Sequence, residues 1–404
     1  MVGRRRALLV PVLAALSGAC RVYDSSLLLP GDAGATPSDA STPFGGGIGW
    51  WSGSGDQGCF SAGVPGDSKR PAPQAAADLD PVYLAIASVR LGGTDPDGAA
   101  NKDAWKSLGF DLDSTCSASP TCAGAVSTSC KPLQPAADGN ACRDNTFGKL
   151  AVLVETDETV ARKYGLNESA FNCALCRGQY GFLIKVSGYN GTSTDDRVRV
   201  DLYPSPGLES GVNPEDCTTS NWSRTVCFQS SFPWKVQRSS MPAPAAGPDL
   251  PAATHFDENA YVRDGYVIVH LPPSTPFWFP ASAGAAATSF PLVIEQGVVT
   301  GKLVQAADTT WSLEDGVLSG RSTSAALLDG FARIGLCQDD PFYDFIQTFL
   351  DSSLDILASG GSNPDTACNA LSVGVGFTAR QATAGALDEV VLPEPCTVSP
   401  DAGP

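Results

Sequence analysis

Thirteen cysteines run the length of this 404-residue chain, at positions 20, 59, 116, 122, 130, 142, 173, 176, 217, 227, 337, 368 and 396. Whether they are thiols or crosslinks limits the fold more than any other feature. The N-terminus decides between the two. Met1–Arg6 reads MVGRRR, Ala7–Leu16 reads ALLVPVLAAL, and Ser17-Gly18-Ala19 are small. A basic start, a short apolar run and small residues before a cut form an export signal over residues 1–19. That run is shorter than the about 20 residues that span a bilayer. Cysteines outside the cytosol pair, so the rest of the chain is predicted to be a body held by up to six disulfides. Spacing alone does not give connectivity; Cys217 with Cys227 is the local pairing considered. Cys173-Ala174-Leu175-Cys176 has CxxC spacing. Asn167–Phe171 before it reads as helix, which puts the motif at the wrong helix end for redox chemistry. Structural disulfides are therefore predicted there, ahead of zinc.

Leu16–Cys20 resembles a bacterial lipoprotein lipobox, which implies that Cys20 is acylated and becomes the mature N-terminus. It departs from that family at Ser17, where leucine is usual. The competing reading is cleavage after Ala19 and release as a secreted protein. Setting Cys20 aside as a lipid carrier leaves twelve cysteines, an even number. The formal charge is -17. The leader holds three arginines and no acid, so its loss makes the charge still more negative. Such a surface excludes gripping of a nucleic acid phosphate backbone. It equally excludes a basic membrane patch, so the membrane would be engaged through acyl chains alone.

Residues 20–80 hold the attachment site and a Gly/Ser/Pro-rich stretch. Their composition predicts a flexible tether, interrupted by Trp50 and Trp51. Glycine and proline are 42 and 31 of the residues, which favours short elements and many turns. From Pro81 the pattern is mainly β. Val198, Val200 and Leu202 alternate with Arg197, Arg199 and Asp201, as in a half-buried strand. Gly181–Val186, Tyr266–Leu271, Leu292–Glu295, Val298–Val304 and Leu371–Thr378 are further strands. Thr310–Leu313 and Val317–Gly320 are read as a hairpin turning at Glu314-Asp315-Gly316. Helical spacing marks Ser322–Ile334 and the stripe Phe342, Phe345, Ile346, Phe349, Leu350, with Asp340 as cap and Pro341 at the first helical position. That stripe is read as core packing. The predicted fold is mainly β: one disulfide-stabilised β-sandwich over 81–396, jelly-roll or concanavalin-like, with a C-terminal helical insert near 322–358. The alternative is a β domain to about residue 280 followed by a smaller α+β unit. Residues 397–404 read as a disordered tail.

Chemistry is sparse. Four acidic loops carry the Asp, Asn and Gly that calcium sites use. They are Asp95–Asp103, Asp111-Leu112-Asp113, the 138–145 stretch, and Asp195-Asp196. The leading calcium set is Asp138, Asn140, Asp144 and Asn145; the competing reading is solvated turns. Nothing matches an EF-hand, a GxSxG elbow, HExxH or a phosphate loop. His255 and His270 are the only histidines, and neither has a flanking nucleophile signature, so no catalytic residue is assigned.

Cys20–Leu27 (CRVYDSSL), Gly109–Asp113 (GFDLD) with Cys116, and Asp144–Gly148 (DNTFG) together resemble cysteine-rich outer-membrane lipoproteins of myxobacterial-type predatory soil bacteria. The resemblance carries no activity with it. Arg21 after the lipobox cysteine, where aspartate would mean inner-membrane retention, implies an outer-membrane or surface address. The expectation is a non-catalytic binding domain for an extracellular ligand, glycan or other, with calcium as its only candidate cofactor. The alternatives are a secreted hydrolase using a carboxylate pair and a purely structural envelope protein.

Overall fold

Alternation in the strands builds the body. The computed structural model describes residues 53–54, 60–118, 127–156, 167–212, 217, 228–242, 249–283, 286–389 and 396. The export signal, Cys20, Trp50, Trp51 and the 397–404 tail lie outside them. The strands among these residues are β1 (Gly53–Ser54), β2 (Phe60–Ser61), β3 (Val82–Arg90), β4 (Gly181–Ser187), β5 (Thr194–Ser205), β6 (Pro233–Gln237), β7 (His255–Arg263), β8 (Tyr266–His270), β9 (Thr275–Ala283), β10 (Ala286–Gln305), β11 (Trp311–Ser322), β12 (Leu371–Gln381) and β13 (Thr383–Asp388). The α-helices are α1 (Thr146–Thr156), α2 (Glu168–Cys176), α3 (Ser324–Arg333) and α4 (Tyr343–Ser352).

The sandwich expectation is corrected. The main sheet runs β11-β12-β3-β4-β5-β7-β8-β10, and β10 pairs back onto β11. Every pairing around this ring is antiparallel. Eight strands therefore close into one barrel, which leaves no edge strand in the ring. The long strand β10 makes closure possible. Its first part pairs with β9 from Ala286 to Ile294, and its second part pairs with β8 and β11. Register shifts at Glu295/Val298 and Thr300/Lys302 bend it between these partners. The two strands predicted over 292–304 are thus one. The predicted hairpin is also one strand: Glu314-Asp315-Gly316 forms a bulge in β11, with a register shift between Leu313 and Gly316. Asp315 has φ 50°, the left-handed geometry that an Asp-Gly pair supplies to a bulge as readily as to a turn.

Bulges also keep the interior apolar. In β3, Leu84 and Ile86 face in; one extra residue at Ala87 resets the phase so that Val89, and Leu91 just past the strand, face in again. Phe182, Ile184, Val200, Leu202, Val262, Val269, Val299, Leu318 and Val375 complete this core. An apolar interior is the reverse of a membrane-spanning barrel, whose lumen is polar. Among the described residues no helix is long and apolar enough to cross a membrane.

Outside β3, β4 and β5 lies a second core. The parallel pair β6–β13 brings Trp234 and Val236 against Leu183 and Tyr203. This is why the strand Gly181–Val186 has apolar side chains on both faces: both are covered, and its one charge, Lys185, is buried with its Nζ donating to Leu250 O. The polar outer positions of β5 stay satisfied. Asp201 is buried, takes both Nε and Nη2 of Arg199 at 2.9 and 2.8 Å, and accepts from Ala253 N.

The 60–70 part of the assigned tether packs on the barrel. Tyr261 Oη donates to Gly66 O, Arg263 donates to Lys69 O, and Arg70 donates to the carbonyls of Asp196 and Asn259. Donors from distant strands and from Arg70 hold this polar segment, while Ala62 is buried and Val64 packs beside Phe110 and Val317. The helices fall close to their predicted places. α4 starts at Tyr343 with Phe342 as its N-cap, so the predicted Asp340 cap and Pro341 start are corrected: both lie in the preceding turn, where Asp340 Oδ1 accepts from Phe342 N. α2 is capped by Asn167, which accepts from Ala170 N, and carries the CxxC at its C-terminal end.

Disulfides join Cys116–Cys142, Cys130–Cys368, Cys173–Cys217 and Cys337–Cys396, with Cα separations of 4.9, 5.2, 5.3 and 5.6 Å. Cys176 is also disulfide-bonded. The Cys217–Cys227 pairing is corrected: helix α2 carries Cys173 to Cys217.

Candidate functional site

Two features stand out, a buried acidic group and an apolar cavity. The acidic group forms where the predicted 111–113 and 138–145 loops meet. Asp111, Asp113 and Asp144 each present a carboxylate oxygen, all within 4.8 Å of one another. They are 2%, 8% and 2% exposed, so water reaches them poorly. Each has one oxygen held by a protein donor. Ser61 Oγ bonds Asp111 Oδ2, Thr115 N reaches Asp113 Oδ1 at 2.8 Å, and Leu112 N reaches Asp144 Oδ2 at 2.7 Å. Asp111 Oδ1 is buried and has no hydrogen bond of acceptable geometry.

Burial pushes the Asp111 carboxyl up to about 6, offset in part by Ser61 and by the Ser114 and Thr115 amides. Asp113 is raised for the same reason, against the pull of Ser129, Thr115 and Arg321. Asp144 and its buried neighbour Asp138 stand well above the carboxylate range, first through burial and then through the surrounding negative charges. Asp355 is also pushed up to about 6 by burial, although Ser372 and Thr146 donate to it. Arg321 borders the group, but its guanidinium donates to Leu112 O and Gln296 Oε1.

The predicted calcium set divides. Asp138 and Asp144 come together with the aspartates of the neighbouring loop. Asp138 Oδ2 accepts from Ser117 N at 2.5 Å. The two asparagines are occupied elsewhere. Asn140 Nδ2 donates to Ser107 Oγ. Asn145 Oδ1 accepts from Gly148 N and Gly374 N, and its Nδ2 donates to Trp105 O. Of the other two loops, Asn101 bonds Asp95 and Asp195 accepts from Asn190 N, so each ties its own turn.

The cavity lies where all four helices meet the β9–β10 hairpin. Its volume is about 60 Å³, and it is walled by Phe147, Leu150, Phe171, Phe279, Phe331 and Leu350 among others. Its polar lining is Glu155, Asn167 and Glu168. Glu168 is buried and accepts from Leu91 N at 2.8 Å, Gly93 N at 3.4 Å and Thr94 Oγ1. Burial raises both glutamates, and Glu168 further raises Glu155. Both face Gly93: a Cβ there would lie 2.6 Å from Glu155 Oε2 and 3.9 Å from Glu168 Oε2. Exposed Phe345 stacks on Phe349 of the cavity wall at 5.8 Å. A second apolar space of about 40 Å³ lies among barrel-interior side chains and shares Phe279 with the first. The sequence assigned the α4 stripe to core packing. Only the placement of five separate elements turns part of it into a cavity wall.

Among the described residues, His255 and His270 have no catalytic partner. Thr275 Oγ1 lies 3.5 Å from His255 Nδ1, while the His270 amide donates to Asp257. Fold and cavity together define a disulfide-stapled antiparallel β-barrel enclosing apolar space beneath a helical cover. No family model matches this chain, and neither a curated protein nor a solved structure matches it.

Proposed function

We propose that this chain is an exported, lipid-anchored and non-catalytic binding domain whose ligand is a small apolar molecule with a neutral or cationic polar end. The observation that carries the reading is the helix-covered cavity. An apolar wall with few polar groups is the usual composition of small-molecule sites. The Glu155 and Glu168 carboxyls at its polar side favour a hydrogen-bond donor or a cation and disfavour a carboxylate or phosphate. This lining narrows the broader expectation of a glycan or other surface ligand. A carboxylate-pair hydrolase is less well supported, because Glu168 is already held by three donors. The anchor rests on the lipobox alone. Mass spectrometry of protein made in a Gram-negative host is expected to find an acylated Cys20 as the first residue; an unmodified chain starting elsewhere would remove the anchor.

The ligand class is tested with N-phenyl-1-naphthylamine, a neutral aromatic amine that fluoresces in apolar surroundings. Binding in the micromolar range is expected. The Ala151→Trp change, which fills the cavity from α1, is expected to weaken it by roughly tenfold or more. Absence of binding by the folded wild-type protein, or binding that Ala151→Trp leaves unchanged, would refute the reading.

A further inference from the structure

We propose that Asp111, Asp113 and Asp144 form a calcium site, separate from the apolar cavity and independent of the reading given to it. Because the three oxygens lie within 4.8 Å of one another, a point no more than about 2.8 Å from all three exists, close to the roughly 2.3–2.6 Å of calcium–oxygen bonds. The donors Ser61 Oγ, Thr115 N and Leu112 N each fix one oxygen of a carboxylate. That is the outer support that ligating carboxylates ordinarily have.

A second observation points to a cation. Asp111 is 2% exposed, and its buried Oδ1 has no hydrogen bond of acceptable geometry, although the Ser114 and Thr115 amides lie near the carboxyl. With Oδ2 turned to Ser61, Oδ1 is the oxygen this carboxylate has left for the group. A buried, unpaired carboxylate oxygen is costly, and a metal ion removes that penalty. Charge balance agrees. Among the described residues, none of the three carboxylates is ion-paired. Asp138 and Asp355 add to the negative field, and Arg321 is the cation bordering the group. An all-oxygen set selects a hard ion. Calcium accepts irregular geometry and more ligands, whereas magnesium demands a tight octahedron and holds its water.

The site joins parts distant in sequence. Ser61 belongs to β2, Asp111 and Asp113 to the loop after β3, and Asp144 immediately precedes the residue that caps α1. An ion there would fasten the start of α1, the helix that brings Phe147 and Leu150 to the cavity wall.

The test is calorimetric titration of the mature full chain, stripped with EDTA and dialysed, using calcium chloride or magnesium chloride alone. One calcium per chain is expected, with micromolar or tighter affinity, and magnesium is expected to bind more weakly. Asp111→Asn and Asp144→Asn are each expected to weaken calcium by roughly 100-fold, while Asp97→Asn in the exposed turn leaves it unchanged. Hydrogen exchange on the wild-type chain provides a readout that needs no variant: calcium should protect the amides of Leu112 and Thr115. The proposal is overturned if the stripped chain binds no calcium, if magnesium binds more tightly, if uptake survives both aspartate changes, or if those amides show no added protection. None of these readouts depends on a cavity ligand, so failure here leaves the binding-domain reading standing, and the reverse also holds.

Discussion

Replacing Cys130 and Cys368 together by alanine is expected to lower the stability of the folded chain by about 4–5 kcal/mol, the largest single effect anticipated. The bridge closes a sequence separation of 238 residues. Because chain-entropy stabilisation grows with the logarithm of loop length, this crosslink lies near the top of the range for one disulfide. It also holds local structure. Lys131 N bonds Thr366 O at 2.7 Å, Cys368 N bonds Lys131 O at 3.2 Å, and Asn363 N bonds Ser129 O at 2.6 Å. Both sulfurs are buried beside Leu357. The bridge thus fastens the segment after the acidic loop to the approach to β12. Thermal unfolding followed by circular dichroism is expected to show the midpoint falling by roughly 5–10 °C. The shorter Cys116–Cys142 crosslink, which spans 26 residues, should contribute less. If removing Cys130–Cys368 shifts the midpoint by no more than a surface substitution does, the crosslink does not restrain the unfolded chain as argued.

The second large effect is expected from Asn145→Ala. This side chain is 1% exposed. Its Oδ1 caps the start of α1 by accepting Gly148 N at 2.9 Å and takes Gly374 N from β12 at 2.8 Å. Its Nδ2 donates to Trp105 O at 3.1 Å. Alanine would orphan two amides and a carbonyl in a place water does not reach. At about 1–3 kcal/mol for each such group, with partial relaxation, the loss is about 3–5 kcal/mol. Gly374 shows how closely these parts approach: a Cβ there would lie 2.8 Å from Asn145 Cγ and 2.9 Å from Gly109 Cα. Urea unfolding should show the same loss in EDTA as in calcium, because the asparagine is a cap and a crosslink between elements. A loss seen only in calcium would make it a metal ligand instead.

The strands were largely legible because alternation is a local property. β5 and β12 lie where Val198-Val200-Leu202 and Val373-Val375-Phe377 placed them. Their inward faces follow from a period of two and from burial of one side. What local patterning missed was each place where a single signal serves two geometries. Asp315-Gly316 supports a turn or a bulge with the same backbone angles, and pairing of β11 with β10 and β12 selected the bulge. Residues 60–70 look like tether by composition, and donors on Tyr261, Arg263 and Arg70 hold them. Asn145 looks like a calcium ligand and is a helix cap. Glu155 and Glu168 gave no signal, since two glutamates in separate helices acquire meaning only when both reach Gly93.

The sequence by itself determined that this chain is β-rich, that its strands have an apolar face, and that two helices interrupt them before a final strand. Those properties depend on neighbours a few residues apart. Barrel closure, the partners of the cysteines, the meeting of Asp111 and Asp113 with Asp144, and the open space under the helices were decided by tertiary structure alone. Each depends on groups tens to hundreds of residues apart, and a period or composition carries no record of which distant partner satisfies a strand edge, a sulfur or a buried charge.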